Sequence, residues 1–442
     1  VSAKRSREEG QGELQRHGPS VGVITAISIP LVPKPAASRN RVSHVKVRPW
    51  QRWDVTGACT HALVVGVSRY EHLPRNPGEL SPTDPDRKVF GLGQLKTPAT
   101  GALRYAEWLR DTYHMPDAPK ATIRLLVSPS DFEMQNVEGF ESLGSEVLPA
   151  TRDNVEDAVD DWYNACRTND DHVAILYAGG HGVELTKDEG GIVLLEDVSE
   201  SIASPLRGSL DVGRVRNGMG GHPMAQRQFY FVDACRVQAA DLKGFDTQGA
   251  GIGLDSPHTG AARCTPMYFS AAPTSEAFGE DLAGTIFAQA LIDCMERLGV
   301  DNRLDVLGNW YCSTTRLIPA LEQRVNELAA ELHVEQTAVP GGTPAHAVMH
   351  VLKEPPRVPL RIRVSPDDAA SFCMASLSEQ NGTPLWDRRA VGPELVTEVP
   401  AGTYRVSVEI NPKNPSYRDV DGWPAAAPSP MPEPVTVEVA AP

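Results

Sequence analysis

The chain has 442 residues, too many for one ordinary core and enough for two or three domains. Its 42 lysines and arginines stand against 57 aspartates and glutamates, and the net charge of −15 excludes nucleic acid as a default partner. No apolar run reaches the ~18–20 residues of a membrane span, so no membrane partner is expected.

Residues 1–57 read as an N-terminal extension. Residues 1–20 are polar and charged, without the apolar centre of a secretory signal, and Val21 to Val32 reads as a strand. Arg39, Arg41, Lys46, Arg48 and Arg52, with Trp50 and Trp53, read as an alternating edge strand whose charges face solvent. From His61 the pattern becomes β-α-β. "HALVVGVSRY" is a short apolar run of the kind found in buried parallel strands, and Ala99, Ala102, Leu103, Ala106 and Leu109 recur at helical spacing over residues 98–113. A strand follows at 122–127. Val155, Ala158, Val159, Trp162 and Cys166 then mark one face of a second helix.

Further strands are predicted at 172–180, 190–198, 228–235 and 265–272, helices at 282–298 and 314–332, and a closing edge strand in "AHAVMHVL" (345–352). Residues 236–263 are glycine-rich and read as a loop. Alternating strands and helices predict an α/β unit, residues 58–352, with a mostly parallel sheet covered on both faces. Composition changes at Lys353-Glu354-Pro355-Pro356. The remainder, 353–442, holds 15 of the 37 prolines, and its apolar alternation predicts a small all-β sandwich domain.

The seven cysteines, at 59, 166, 235, 264, 294, 312 and 373, include no C-x-x-C pair. Neither a disulfide framework nor a zinc site follows, and unpaired thiols fit a reducing, cytoplasmic setting. His346 and His350 are four residues apart but lack a third ligand, so no metal is expected.

Two strand ends carry reactive groups. One runs into Gly179-Gly180-His181-Gly182 and the other ends at Asp233-Ala234-Cys235. Sites in open α/β sheets form outside the carboxyl ends of the strands, so neighbouring strands would deliver this His and Cys to one edge. A free thiol is only partly ionised near neutrality, and an adjacent imidazole makes it a competent nucleophile and can later protonate a leaving amine. Backbone N–H groups at Gly182 and Cys235 would then be oxyanion donors.

"YAGGHG", followed 54 residues later by "FVDACR", resembles the caspase and metacaspase family of clan CD cysteine peptidases, whose His and Cys lie ~50 residues apart. The resemblance, to a bacterial-type caspase homologue over roughly residues 58–352, implies a three-layer α/β/α sandwich and a cysteine endopeptidase without a cofactor. It makes Cys235 the nucleophile and His181 the general base and acid. In this family the residue two before the nucleophile lines the primary pocket, as Gln where Asp is accepted and as Asp where Arg or Lys is. Asp233 therefore implies cleavage after a basic residue, through a bidentate carboxylate–guanidinium pair.

The match departs from the family at two points. No carboxylate opens the helix at 98, where metacaspases carry a second pocket Asp; Glu276 or Glu280 would supply one by another route. Arg236-Val237 also replaces the usual glycine-containing turn. Loop 236–263, with Arg236, Lys243 and Arg263, lies where caspases are cut, which suggests a zymogen activated by a protease or a regulatory partner. The expected partners are protein substrates. The competing reading is a catalytically silent caspase-fold scaffold in which residues 353–442 do the recognising.

Overall fold

The computed structural model describes residues 49–143, 147–183, 191–221, 223–236, 251–254, 263–272, 277–301, 304–305, 307–343, 345–427 and 434–440. Two compact units divide the chain, residues 1–45 and 46–442, and the described residues all belong to the second. The strand expected at Val21 to Val32, the basic residues Arg39 to Arg48, Lys243 and Glu276 lie outside the described residues.

The first half runs β1 (Gln51–Arg52), β2 (Thr60–Val67), α1 (Pro98–Asp111), β3 (Lys120–Ser128), α2 (Asp131–Asn136), α3 (Arg152–Cys166) and β4 (Val173–Gly180). Next come β5 (Gly182–Val183), β6 (Ile192–Leu194), β7 (Ser209–Asp211), α4 (Val212–Gly218), β8 (Arg227–Ala234) and β9 (Thr265–Phe269). A hairpin of β10 (Gly279–Glu280) and β11 (Gly284–Thr285) leads into α5 (Ile286–Asp293). β12 (Tyr311–Ser313), α6 (Thr314–Glu331), β13 (Val339–Thr343) and β14 (Val348–Val351) complete this part.

The main sheet has seven strands in the order β1-β3-β2-β4-β8-β9-β13. Its inner strands are parallel, and both edge strands, β1 and β13, are antiparallel. β2 and β4 are buried at every position, which explains their unbroken apolar runs: helices cover both faces. α1, α5 and α6 pack on one face through Leu103, Leu109, Phe287, Leu291, Leu317 and Leu321. α3 packs on the other through Val155, Val159 and Trp162, whose Nε1 donates to the His61 carbonyl at 3.0 Å. The result is the expected mixed α/β layering around a mostly parallel sheet.

Three element assignments change. The far edge of the sheet is β13, not residues 345–352, which instead supply β14 to a two-stranded pairing with β12. The sequence of β13, "VPGGT", reads as a loop, yet its glycines are what let it lie against β9. A Cβ at Gly341 would sit 2.9 Å from the Phe269 ring; at Gly342 (φ +73°) it would sit 2.4 Å from the Thr265 carbonyl. The predicted strand 190–198 shrinks to β6, in a separate sheet ordered β5-β6-β7. The helix expected from Leu282 begins only at Ile286, because Leu282 (φ +72°) turns the β10–β11 hairpin, and its last turn is π-helical over Cys294–Leu298.

Beyond residue 353 the described elements are β15 (Arg357–Ser365), β16 (Cys373–Glu379), β17 (Pro384–Ala390), β18 (Leu395–Pro400), β19 (Gly402–Ile410), β20 (Val420–Ala427) and β21 (Val435–Glu438). They form a three-stranded and a four-stranded sheet around their own apolar cluster, including Ile362, Leu377, Val406 and Val437. Arg297 in the π-helical turn reaches across to Glu398 at 2.8 Å.

Candidate active site

The pairing of β4 with β8 sets the geometry. Gly179 lies opposite Asp233 and Gly180 opposite Ala234, so His181 and Cys235 each follow directly on a paired strand end. Gly182 is pressed against the backbone of Cys235: a Cβ there would lie 2.1 Å from the Cys235 carbonyl oxygen. Any other residue at 182 would push the two strand ends apart. Cys235 is half-buried, whereas the other six cysteines are buried.

His181 is held from two sides. Its backbone N–H donates to Tyr70 Oη at 2.7 Å, and its Nε2 contacts the Gly93 carbonyl at 2.7 Å. A carbonyl only accepts, so Nε2 carries the proton and Nδ1 keeps its lone pair. Burial pushes the imidazole down to about 4, so at neutral pH it is an unprotonated base. Tyr70 itself donates to the Val67 carbonyl at 3.2 Å, and burial keeps its phenol well above the usual range. The loop that supplies Gly93 is stitched by Gln94, which accepts from Tyr70 N–H and donates to the Tyr70 and Leu73 carbonyls, each at 2.8 Å.

Cys235 Sγ accepts the Ala277 backbone N–H at 3.1 Å. The segment that carries Ala277 then enters the β10–β11 hairpin, and Thr285 at its end caps α5, its Oγ1 accepting from Ala288 N–H at 3.2 Å. Thr285 Oγ1 also donates to Asp233 Oδ2, as does Tyr177 Oη. Asp233 is 2% exposed, its other oxygen, Oδ1, has no hydrogen-bond partner, and burial pushes its carboxyl up to about 6. Asp233 is thus a buried carboxylate with one oxygen anchored and the other buried without a hydrogen-bond partner among the described residues.

The remaining candidates fall unevenly. Glu276 lies outside the described residues, and Glu280 is exposed on β10. The carboxylate at the start of α1 comes instead from α2, where no sequence signal pointed. Glu133 is fully buried and accepts from Thr100 N–H and Oγ1, each at 2.9 Å, and from Ser130 N–H and Oγ at 2.8 and 2.9 Å. It caps two helices and has no surface left for a substrate. Of the three basic residues proposed as cleavage points, two are buried: Arg236 stacks 4.4 Å from the Phe269 ring centre, and Arg263 donates to the Met219 carbonyl at 2.8 Å. Both are withdrawn from a protease, a correction to that expectation. Among the described residues no group of three His, Cys, Asp or Glu side chains could hold a metal ion, and no helix is long and apolar enough to cross a membrane. His350 is a core residue, its Nδ1 accepting from His114 N–H at 3.1 Å.

Tyr70, Gly93, Tyr177, Ala277 and Thr285 were not predicted. Three of these contribute a hydroxyl and two a backbone group, and only Thr285, preceding the apolar run "IFAQALI", carried a readable signal as a helix cap.

The family model of the caspase domain matches residues 120–326. Of solved structures, a crystal structure of a Geobacter sulfurreducens protein is 14% identical over 66% of this chain and 93% of that one, with a TM-score of 0.36. No curated protein matches the sequence.

Proposed function

We propose that the chain is a cysteine endopeptidase acting through Cys235 and His181, with cleavage after Arg or Lys; the match of residues 120–326 to the caspase-domain family model supports this reading. The observation that carries this reading is the state of His181: Nε2 is engaged by Gly93, so its one basic nitrogen, Nδ1, is left for the neighbouring thiol. In the proposed reaction Nδ1 takes the Cys235 proton as sulfur attacks the scissile carbonyl. The oxyanion is held by the N–H groups of Gly182 and Cys235. The imidazolium then returns its proton to the leaving amine, giving an acyl-thioester; the regenerated neutral imidazole deprotonates the water that hydrolyses it and hands that proton to the departing Cys235 thiolate.

Asp233 supports the basic preference. A substrate guanidinium would give the buried Oδ1 the hydrogen-bond donor it lacks, whereas a substrate Asp would meet like charge. Within the same reading, residues 353–442 form a separate all-β domain, the setting is cytoplasmic, and activation follows cleavage at Lys243 or binding of a partner. The test is hydrolysis of peptides ending in Arg, Lys or Asp by wild type and Cys235→Ala. Release after Arg or Lys that vanishes in the variant supports the reading; cleavage surviving in Cys235→Ala sinks it. Binding of a protein partner with no hydrolysis of any peptide, before or after loop cleavage, would favour the scaffold.

A further inference from the structure

We propose that Gln336 is a positioning residue for the Cys235 thiol. The proposal rests on the reading of Cys235 as nucleophile, but it concerns a residue in the connection between α6 and β13. Gln336 is 4% exposed, and both ends of its amide are engaged. Its Oε1 accepts the Phe278 N–H at 2.8 Å, and its Nε2 donates to the Ser270 carbonyl at 2.9 Å. Ser270 and Phe278 are the two feet of the stretch that leaves β9 and returns as β10, and Ala277 is its last residue before the second foot.

Ser270 is in turn fixed to the end of β8. Its N–H donates to the Val232 carbonyl at 2.9 Å, and its Oγ donates to the carbonyl of Ala234, the residue before the nucleophile, at 3.1 Å. The contacts therefore close a ring: Cys235 to Ala234, Ser270, Gln336, Phe278, Ala277 and back to Cys235 Sγ at 3.1 Å. Within it the Gln336 side chain spans the two feet, and it sets where the Ala277 N–H points. An N–H aimed at sulfur favours thiolate over thiol, because it bonds the charged form more strongly. Loss of the brace frees Ala277 and removes that preference.

The test is the pH profile of Cys235 alkylation by iodoacetamide, read by mass spectrometry of the Cys235 peptide in the full chain. It needs no substrate, so it can fail while peptide cleavage succeeds, and the reverse. Gln336→Leu keeps the volume and removes both bonds, and should slow alkylation at pH 7 about tenfold and move the profile to higher pH. Ala277→Pro removes the same N–H at the other end of the brace, should give the same shift, and keeps the test alive if Gln336→Leu does not fold. The double variant should be no slower than either single one. Profiles of the folded variants that superimpose on wild type, or move to lower pH, overturn the proposal; a shift in Ala277→Pro alone overturns the role of Gln336.

Discussion

The sheet has a cysteine and a histidine on neighbouring strands at each end, and the two pairs differ in how their groups are engaged. At the amino end, the N–H of Cys59 donates to His172 Nδ1 at 2.8 Å. His172 Nε2 meets Thr168 Oγ1 at 2.8 Å, and that hydroxyl already donates to the Ala165 carbonyl, so Nε2 must be the donor. Both nitrogens of His172 are occupied, and burial pushes the Cys59 thiol up. At the carboxyl end, His181 has one nitrogen engaged, and Cys235 is half-buried with an N–H on its sulfur. The two ends differ in burial of the cysteine and in the histidine: both nitrogens of His172 have hydrogen-bond partners among the described residues, whereas His181 is bonded through Nε2.

The largest expected effect tests that difference directly. Cys235→Ala and His181→Ala should each lower peptide hydrolysis by at least about a thousandfold. Cys59→Ala and His172→Ala should leave the rate within a few-fold, although His172→Ala strands a buried N–H and costs about 1–3 kcal/mol in denaturant melts. Equal losses at both ends would break the comparison.

Asp233→Asn should reduce kcat/KM for Arg peptides about a hundredfold and leave neutral residues nearly unaffected. In wild type, with Asp233 pushed up to about 6, hydrolysis after Arg should fall as the pH drops below about 6, and a profile flat from pH 7 to 5 would remove Asp233 from the pocket. The same carboxyl makes a stability prediction of opposite sign. Its folded pKa lies above the ordinary 3.8, so its contribution is full in acid and is lost as pH rises through about 6. Asp233→Asn should therefore melt above wild type at pH 8, by up to about 3 kcal/mol, and show no gain at pH 4. The smallest effect is expected from Thr285→Val, which loses a helix cap and one bond to Asp233: about 1 kcal/mol in thermal melts, and a weaker preference for Arg.

Legibility in the sequence followed the physics of each part. Parallel strands buried on both faces are uniformly apolar, so β2, β3, β4 and β8 could be placed within three residues. β13 could not, since its pairing depends on glycines that ordinarily mark loops. The strand-end placement of His181, Cys235 and Asp233 was readable because each follows or ends an apolar run. What tunes them was not: the Gly93 carbonyl and Ala277 N–H belong to every residue type alike, and Gln336 lies about a hundred residues from Cys235 with nothing in its neighbourhood to mark it. Glu133 shows the same limit in reverse, a carboxylate brought to the start of α1 by an element whose own pattern pointed only to a helix cap.

The extent of the family match has a practical consequence. Residues 120–326 include β3, β4, β8 and β9, but β2, which lies between β3 and β4, comes earlier in the chain, as do α1, Tyr70 and Gly93. Gln336 and β13 come later. A fragment trimmed to the matched residues would lack the strand that joins its two halves, the carbonyl that fixes its histidine and the amide that braces its loop. The portion of the chain that matches the family model is thus smaller than the sheet it belongs to, and the boundaries of an autonomous unit have to be drawn from hydrogen bonds across that sheet.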